Sequence, residues 1–220
     1  MGPYDGAQAL TAHLNPAKAE NKLKAETLTG LSLFSIATSI TPGPNNLMLL
    51  TSGANFGFRR TAPHALGIAA GFFILLFAVG LGLGSALTAF PGVHLALKIL
   101  GGAYMLYLAW GVASSRSFGE KKGVGARPMT VFEAALFQWV NPKAWVMALT
   151  GMALFADPAR PFWSMLIVCV VFAALNLPCV SVWAAFGVGL RRFLSGAARL
   201  KWFNVAMGAL LAASIIPLLA

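Results

Sequence analysis

Long apolar runs alternating with short polar connections set the pattern of this chain. Six such runs extend approximately from Leu28 to Thr51, Ala65 to Phe90, Leu95 to Ala113, Val131 to Phe155, Phe162 to Val188 and Trp202 to Leu219. Each is long enough for a helix to cross the hydrocarbon core of a bilayer. The runs are continuously hydrophobic rather than alternating in ten-residue segments, which selects helices over a transmembrane barrel. The predicted fold class is all-α: a polytopic membrane protein of six transmembrane helices.

Two of the runs are interrupted where a helix tolerates interruption least. The first contains Thr41-Pro42-Gly43-Pro44-Asn45-Asn46. Pro42 and Pro44 have no N–H to offer the carbonyls of Thr38 and Ile40, so the helix should break there and restart near Asn45. In hydrocarbon, such backbone is tolerated where it faces protein or a water-filled cavity. A kink packed on a neighbour would meet that rule. Two prolines flanking a glycine, followed by two asparagines, point instead to a solute site built from a discontinuous helix. The fourth run contains Gln138-Trp139-Val140-Asn141-Pro142-Lys143, again near mid-membrane. Lys143 is an ionisable group at depth, which is costly and by default a functional signal. It also stands at the start of the restarting half-helix, whose positive dipole end disfavours a cation unless an anion joins it. A ligand carboxylate would satisfy both demands; a stem snorkelling to water is the structural alternative. In the fifth run Asn176-Leu177-Pro178 sets a polar residue beside a kink, either lining the same cavity or bonding a neighbouring helix. The candidate solute-binding residues are Thr41, Pro42, Gly43, Pro44, Asn45, Asn46, Gln138, Asn141, Pro142, Lys143 and Asn176.

The halves correspond weakly at an offset near one hundred residues: Pro42 with Pro142, Leu97-Lys98 with Leu200-Lys201, and Gly82-x-Gly84 with Gly187-x-Gly189. Three spans per half force the second half to enter from the opposite side. The expected organisation is a polar tail at residues 1–27, a three-helix repeat at 28–115, a basic connection at 116–130 and an inverted three-helix repeat at 131–220, with the first and fourth helices broken.

Composition agrees with the membrane reading, with 58% hydrophobic and 10% charged residues. The net charge of +10 reflects topology rather than a nucleic-acid surface, because the basic residues fall in the connections. Arg59 and Arg60, Arg116 to Arg127, and Arg191 to Lys201 mark the odd-numbered connections as cytoplasmic, with both termini outside. The polar tail reads as disordered or surface-lying, with a short helix from Ala17 to Glu26. His64 reads as interfacial and solvated, Asn204 as interfacial, and Tyr104, Tyr107 and Trp110 as an interface belt. Gly67 and Gly71 read as helix-packing positions. Cys169 and Cys179, ten residues apart on one helix, are about 15 Å apart and too distant for a disulfide.

Enzyme chemistry finds no agents. There is no His-Glu-x-x-His, no paired intramembrane aspartates and no serine–histidine arrangement at depth, and no cofactor is indicated. Few intramembrane carboxylates and no clustered histidine or cysteine argue against a metal site. A scaffold subunit would not need the broken helices.

The Thr41-Pro42-Gly43-Pro44-Asn45 motif, Gly57-Phe58-Arg59-Arg60 followed by Ala65-Leu66-Gly67, the span from Leu97-Lys98 to Tyr107-Leu108, and Asn141-Pro142-Lys143 together resemble the lysine-exporter superfamily, in its homoserine and threonine resistance branch. The resemblance covers about Leu28 to Leu219. It implies a bacterial inner-membrane exporter of amino acids or close derivatives, exchanging them against protons, as monomer or homodimer in the lipid bilayer; distant branches export other small solutes or cations. Two features depart from the family pattern: the longer polar tail and the aromatic Gln138-Trp139 approach to the asparagine. The expected mechanism is alternating access about a midplane site. In it the carbonyls of Thr38, Ile40 and Gln138 receive a substrate ammonium group, and Lys143 and Glu133 are the candidates for carrying the proton.

Overall fold

The structure is a computed structural model and describes residues 16–84, 89, 91–115 and 127–216. Met1 to Asn15, residues 85–88 and 90, and Arg116, Lys121 and Lys122 of the expected basic connection lie outside the described residues. Among the described residues the chain forms eight α-helices: α1 (Pro16–Ile40), α2 (Pro44–Phe56), α3 (Phe58–Gly80), α4 (Pro91–Ser114), α5 (Val131–Phe137), α6 (Pro142–Phe155), α7 (Pro161–Leu190) and α8 (Ala197–Ala213). Short 3-10 turns follow α5 (Gln138–Val140) and α7 (Phe193–Ser195). The broken first span is thus α1 and α2, and the broken fourth is α5 and α6.

Proline chemistry places both breaks. A residue before proline is pushed out of the helical region. Gly43, before Pro44, is extended at φ −177° and ψ 176°, and Asn141, before Pro142, at φ −87° and ψ 108°. Pro44 and Pro142 each open the next helix, where the missing N–H costs nothing. Pro178, by contrast, sits inside α7 without ending it. A single glycine turns α2 into α3: Gly57 has φ 83°, a conformation that side chains disfavour.

The distribution of polarity is that of a bundle in lipid. Leu33, Ile74, Leu106, Val146, Val170 and Phe186 are more than half exposed, whereas Ser35, Ser39, Asn46, Gln138, Asn141, Asn176 and Asn204 are buried. Helices α3 and α7 are each long and apolar enough to cross a membrane. At 30 residues α7 is about 45 Å long, more than a bilayer core.

Helices distant in sequence pack together. The broken first span packs on α7 and the broken fourth on α3, while α8 packs on α4. One core joins Leu31, Phe72, Leu75 and Leu76 to Ala148, Met165 and Phe172. The α2–α7 crossing is close enough that a Cβ on Gly53 would strike the Ala184 carbonyl, and one on Gly187 the Leu50 carbonyl. Gly67 and Gly71 likewise let α3 approach α5.

Three expectations are corrected. The helix expected from Ala17 to Glu26 is present, but instead of standing short and alone it is the first part of α1 and runs on into the first apolar run. His64 is buried rather than solvated, because α3 turns it inward with Ala65 and Ile68. Asn204 is also buried: its amide donates to the Ser115 carbonyl at 3.2 Å and its oxygen accepts from Asn55 at 3.3 Å. Trp110 and Tyr107 are exposed, while Tyr104 is half-buried. Cys169 and Cys179 are free and buried.

Candidate functional site

The carbonyls released by the first break all find side-chain donors. Thr41 Oγ1 donates to the Thr38 carbonyl at 2.9 Å, and the Trp183 indole N–H to that of Ile40 at 3.0 Å. Both N–H bonds of Asn46 Nδ2 are used, on the carbonyls of Ser39 at 2.8 Å and Thr41 at 2.7 Å. Lys143 Nζ donates to the Thr41 carbonyl at 2.7 Å, to Thr41 Oγ1 at 2.8 Å and to the Pro42 carbonyl at 3.2 Å. The Thr38, Ile40 and Gln138 carbonyls expected to receive a ligand ammonium thus each already accept one hydrogen bond, that of Gln138 from Asn141 N–H at 3.4 Å, and each keeps a second lone pair.

Lys143 solves its electrostatic problem within the fold. As the second residue of α6 it lies at a positive dipole end, yet its ammonium reaches across to the carbonyls of Thr41 and Pro42, just past the C-terminal end of α1, where a cation is favoured. Gly43 makes the path: a Cβ there would lie 2.6 Å from Lys143 Cδ. Asn141 caps α6, its Oδ1 accepting from Lys143 N–H at 3.2 Å.

A reciprocal amide pair ties the two broken spans together. Asn45 Nδ2 donates to Gln138 Oε1 at 2.8 Å, and Gln138 Nε2 donates back to Asn45 Oδ1 at 3.1 Å and to the Ala134 carbonyl at 2.9 Å. Asn176 Nδ2 donates to Ser39 Oγ at 3.0 Å.

These groups surround a cavity of about 20 Å³, space for about one water. Gly43, Asn45, Asn46, Gln138, Asn141, Lys143 and Asn176 all line it, with Phe72 and Met147 as apolar walls. Of the remaining candidates, Thr41 and Pro42 hold the Lys143 ammonium, while Pro44 and Pro142 start the half-helices. The oxygens Asn46 Oδ1 and Asn176 Oδ1 are buried and have no hydrogen-bond partner among the described residues. In an apolar interior an unpaired acceptor is costly, so the cavity holds two acceptors waiting for a donor.

Glu133 does not join this group. It closes a capping box with Thr130 at the start of α5 and pairs with Arg127 at 2.6 Å. Hydrogen bonding to Glu133 raises the pKa of Arg127 above its ordinary value. The pair lines a second cavity of about 230 Å³. Sequence reasoning also passed over Trp183 and Ser39. Trp183 stands seven residues after Asn176, two helical turns along one face, and that spacing is the signal that could have found it.

The profile of the LysE type translocator family matches residues 36–216. A cysteine/O-acetylserine efflux protein of Escherichia coli (strain K12) is 32% identical over 132 residues, covering 60% of this chain and 66% of the relative. Proteins of the same description from Shigella flexneri and from Escherichia coli O1:K1 / APEC are 32% and 31% identical over the same shares. The chain thus spans just under two thirds of the length of these relatives. No solved structure matches.

Proposed function

The chain belongs to the LysE type translocator family, and from that premise we propose that it is a secondary transporter, not an enzyme, exporting small amino acids or close derivatives through the cavity at its two helix breaks. One observation carries this reading: two half-helix N-termini, an ammonium and two orphaned amide oxygens converge on a single cavity. The first turns of α2 and α6, with Lys143, favour a carboxylate. Asn46 Oδ1 and Asn176 Oδ1 accept from an ammonium group. That complement is a zwitterion's, and the cavity, about 20 Å³ between Phe72 and Met147, has to open to admit one. The names of the relatives support the same class, as their printed substrates, cysteine and O-acetylserine, are small zwitterions.

In this reading the two halves form an inverted repeat, with α1–α2, α3 and α4 answered by α5–α6, α7 and α8, and rock about the cavity to expose it to either side. The exporter sits in a bacterial inner membrane with both termini outside, because Arg59, Arg60, Arg191, Arg192, Arg199 and Lys201 lie in the odd-numbered connections or the first turns of the helices that follow them. Protons supply the driving force, with Lys143 as the carrier nearest the solute.

The test is uptake of labelled cysteine, O-acetylserine, leucine and lysine into inside-out vesicles, with Asn176→Leu as control. Selective uptake of the small zwitterions by the intact protein, lost in the variant, supports the reading. Uptake of none overturns it.

A further inference from the structure

We propose that the larger cavity is a second solute site in series with the first, a vestibule that docks a zwitterionic amino acid on the Arg127–Glu133 pair and turns its side chain toward His64 and Asn55. The inference rests on the export reading above and goes beyond it.

The cavity is built from polar groups that the fold leaves unfinished. His64 is 1% exposed, and neither Nδ1 nor Nε2 has a hydrogen-bond partner. A neutral imidazole carries one donor and one acceptor, so both are idle. Asn55 is 3% exposed, with its Nδ2 spent on the Thr51 carbonyl at 2.9 Å and on Asn204 Oδ1 at 3.3 Å. That commitment fixes the amide and leaves Oδ1 unpaired. Two orphaned side chains on different helices, α2 and α3, line the same space. Buried polar groups without partners are rare, and a leucine at residue 64 would suit the neighbouring Ala65 and Ile68 better. What they lack is a ligand with both a donor and an acceptor.

Where the cavity meets Arg127 and Glu133 it carries both signs of charge. The two Arg127 nitrogens donate to Glu133 Oε2 at 2.8 Å and Oε1 at 2.6 Å, and the guanidinium keeps further N–H groups free of that contact. Glu133 is held in place by Thr130, whose N–H donates to it at 2.8 Å. A fixed plus–minus pair of this span complements the carboxylate and ammonium that an α-amino acid carries on one carbon.

The two cavities are lined by different residues of the same elements. Asn45 of the inner cavity and Asn55 of the outer one lie on α2, about 15 Å apart along its axis; Gln138 of the inner and Glu133 of the outer lie about 8 Å apart where α5 runs into its 3-10 turn. The outer cavity lies toward Gly57, the first connection, and Ser115, where the third begins. In the orientation proposed above that side is cytoplasmic, so an exported solute meets the vestibule first.

The experiment measures concentration dependence of O-acetyl-L-serine uptake into inside-out vesicles for the intact protein, His64→Leu, His64→Gln and Arg127→Gln, with thermal midpoints of each purified protein. The vestibule predicts that His64→Leu keeps or raises the midpoint, because two idle polar atoms are removed, while KM rises at least tenfold and the maximal rate changes less. His64→Gln, which restores a donor and an acceptor, returns KM to within threefold. Arg127→Gln, on an exposed side chain, raises KM similarly, and decides the matter should His64→Leu fail to fold. Unchanged KM in both His64→Leu and Arg127→Gln, with the intact protein active, overturns the vestibule and leaves the export reading standing. No uptake by the intact protein overturns both.

Discussion

The Asn45–Gln138 pair offers a measurement whose size follows from the hydrogen bonds alone. Asn45→Ala removes two interhelical bonds and leaves Gln138 Oε1 without a donor in a fully buried position, while Nε2 keeps the Ala134 carbonyl. An unsatisfied buried acceptor costs about 1–3 kcal/mol. Gln138→Ala removes the same two bonds and the one to Ala134, but Asn45 is only half-buried and water can reach it. Interhelical side-chain bonds in membrane proteins average about 0.6 kcal/mol and reach about 1.7. Two reciprocal bonds therefore predict a coupling of about 1–2 kcal/mol, with the double variant less destabilised than the sum of the singles. Reversible unfolding of the four proteins in mixed micelles reads this directly. Additive losses, with coupling within about 0.3 kcal/mol of zero, would refute the claim that this pair ties the two broken spans.

Three further outcomes follow from the same geometry. Gly53→Ala sets a Cβ against the Ala184 backbone with no side chain to rotate away, and lowers stability by about 1–3 kcal/mol; Gly189→Ala, beside open space, leaves the unfolding midpoint unchanged or higher. Thr130→Ala removes the cap of α5 and costs about 1 kcal/mol by the same assay, and Thr130→Ser restores most of it. Gly43→Ala keeps the protein in the membrane, because extended backbone accepts alanine, but pushes the Lys143 stem aside and lowers flux several-fold in a vesicle assay.

How far the chain could be read depended on whether the cause was local. Both helix breaks were legible, because proline acts on its own turn and on the residue before it, and the structure opens α2 and α6 at Pro44 and Pro142. Asn45, Asn46, Gln138, Asn141 and Lys143, read at one depth, line one cavity, and Asn176, for which lining and helix bonding were both open, does both, donating to Ser39. Partnerships across the fold were not legible. The need of Lys143 for negative charge was visible, but the carbonyls that meet it lie 102 and 101 residues away at Thr41 and Pro42. Glu133 stood out as a lone carboxylate near a span, and its capping box with Thr130 was written locally as Thr-x-x-Glu without being used. His64 and Asn204 were assigned to the membrane surface by their distance from span centres, whereas the face each helix turns inward decides their burial.

The central claim is that solute passes through the cavity at the two breaks, and Lys143 tests it most directly. Uptake of O-acetylserine into inside-out vesicles, driven by an imposed proton gradient, should be lost in Lys143→Ala at equal membrane abundance and an unchanged unfolding midpoint. Gradient-driven uptake at the intact protein's rate in that variant would contradict the account, because the one ammonium that bridges α6 to the end of α1 in that cavity would then be dispensable.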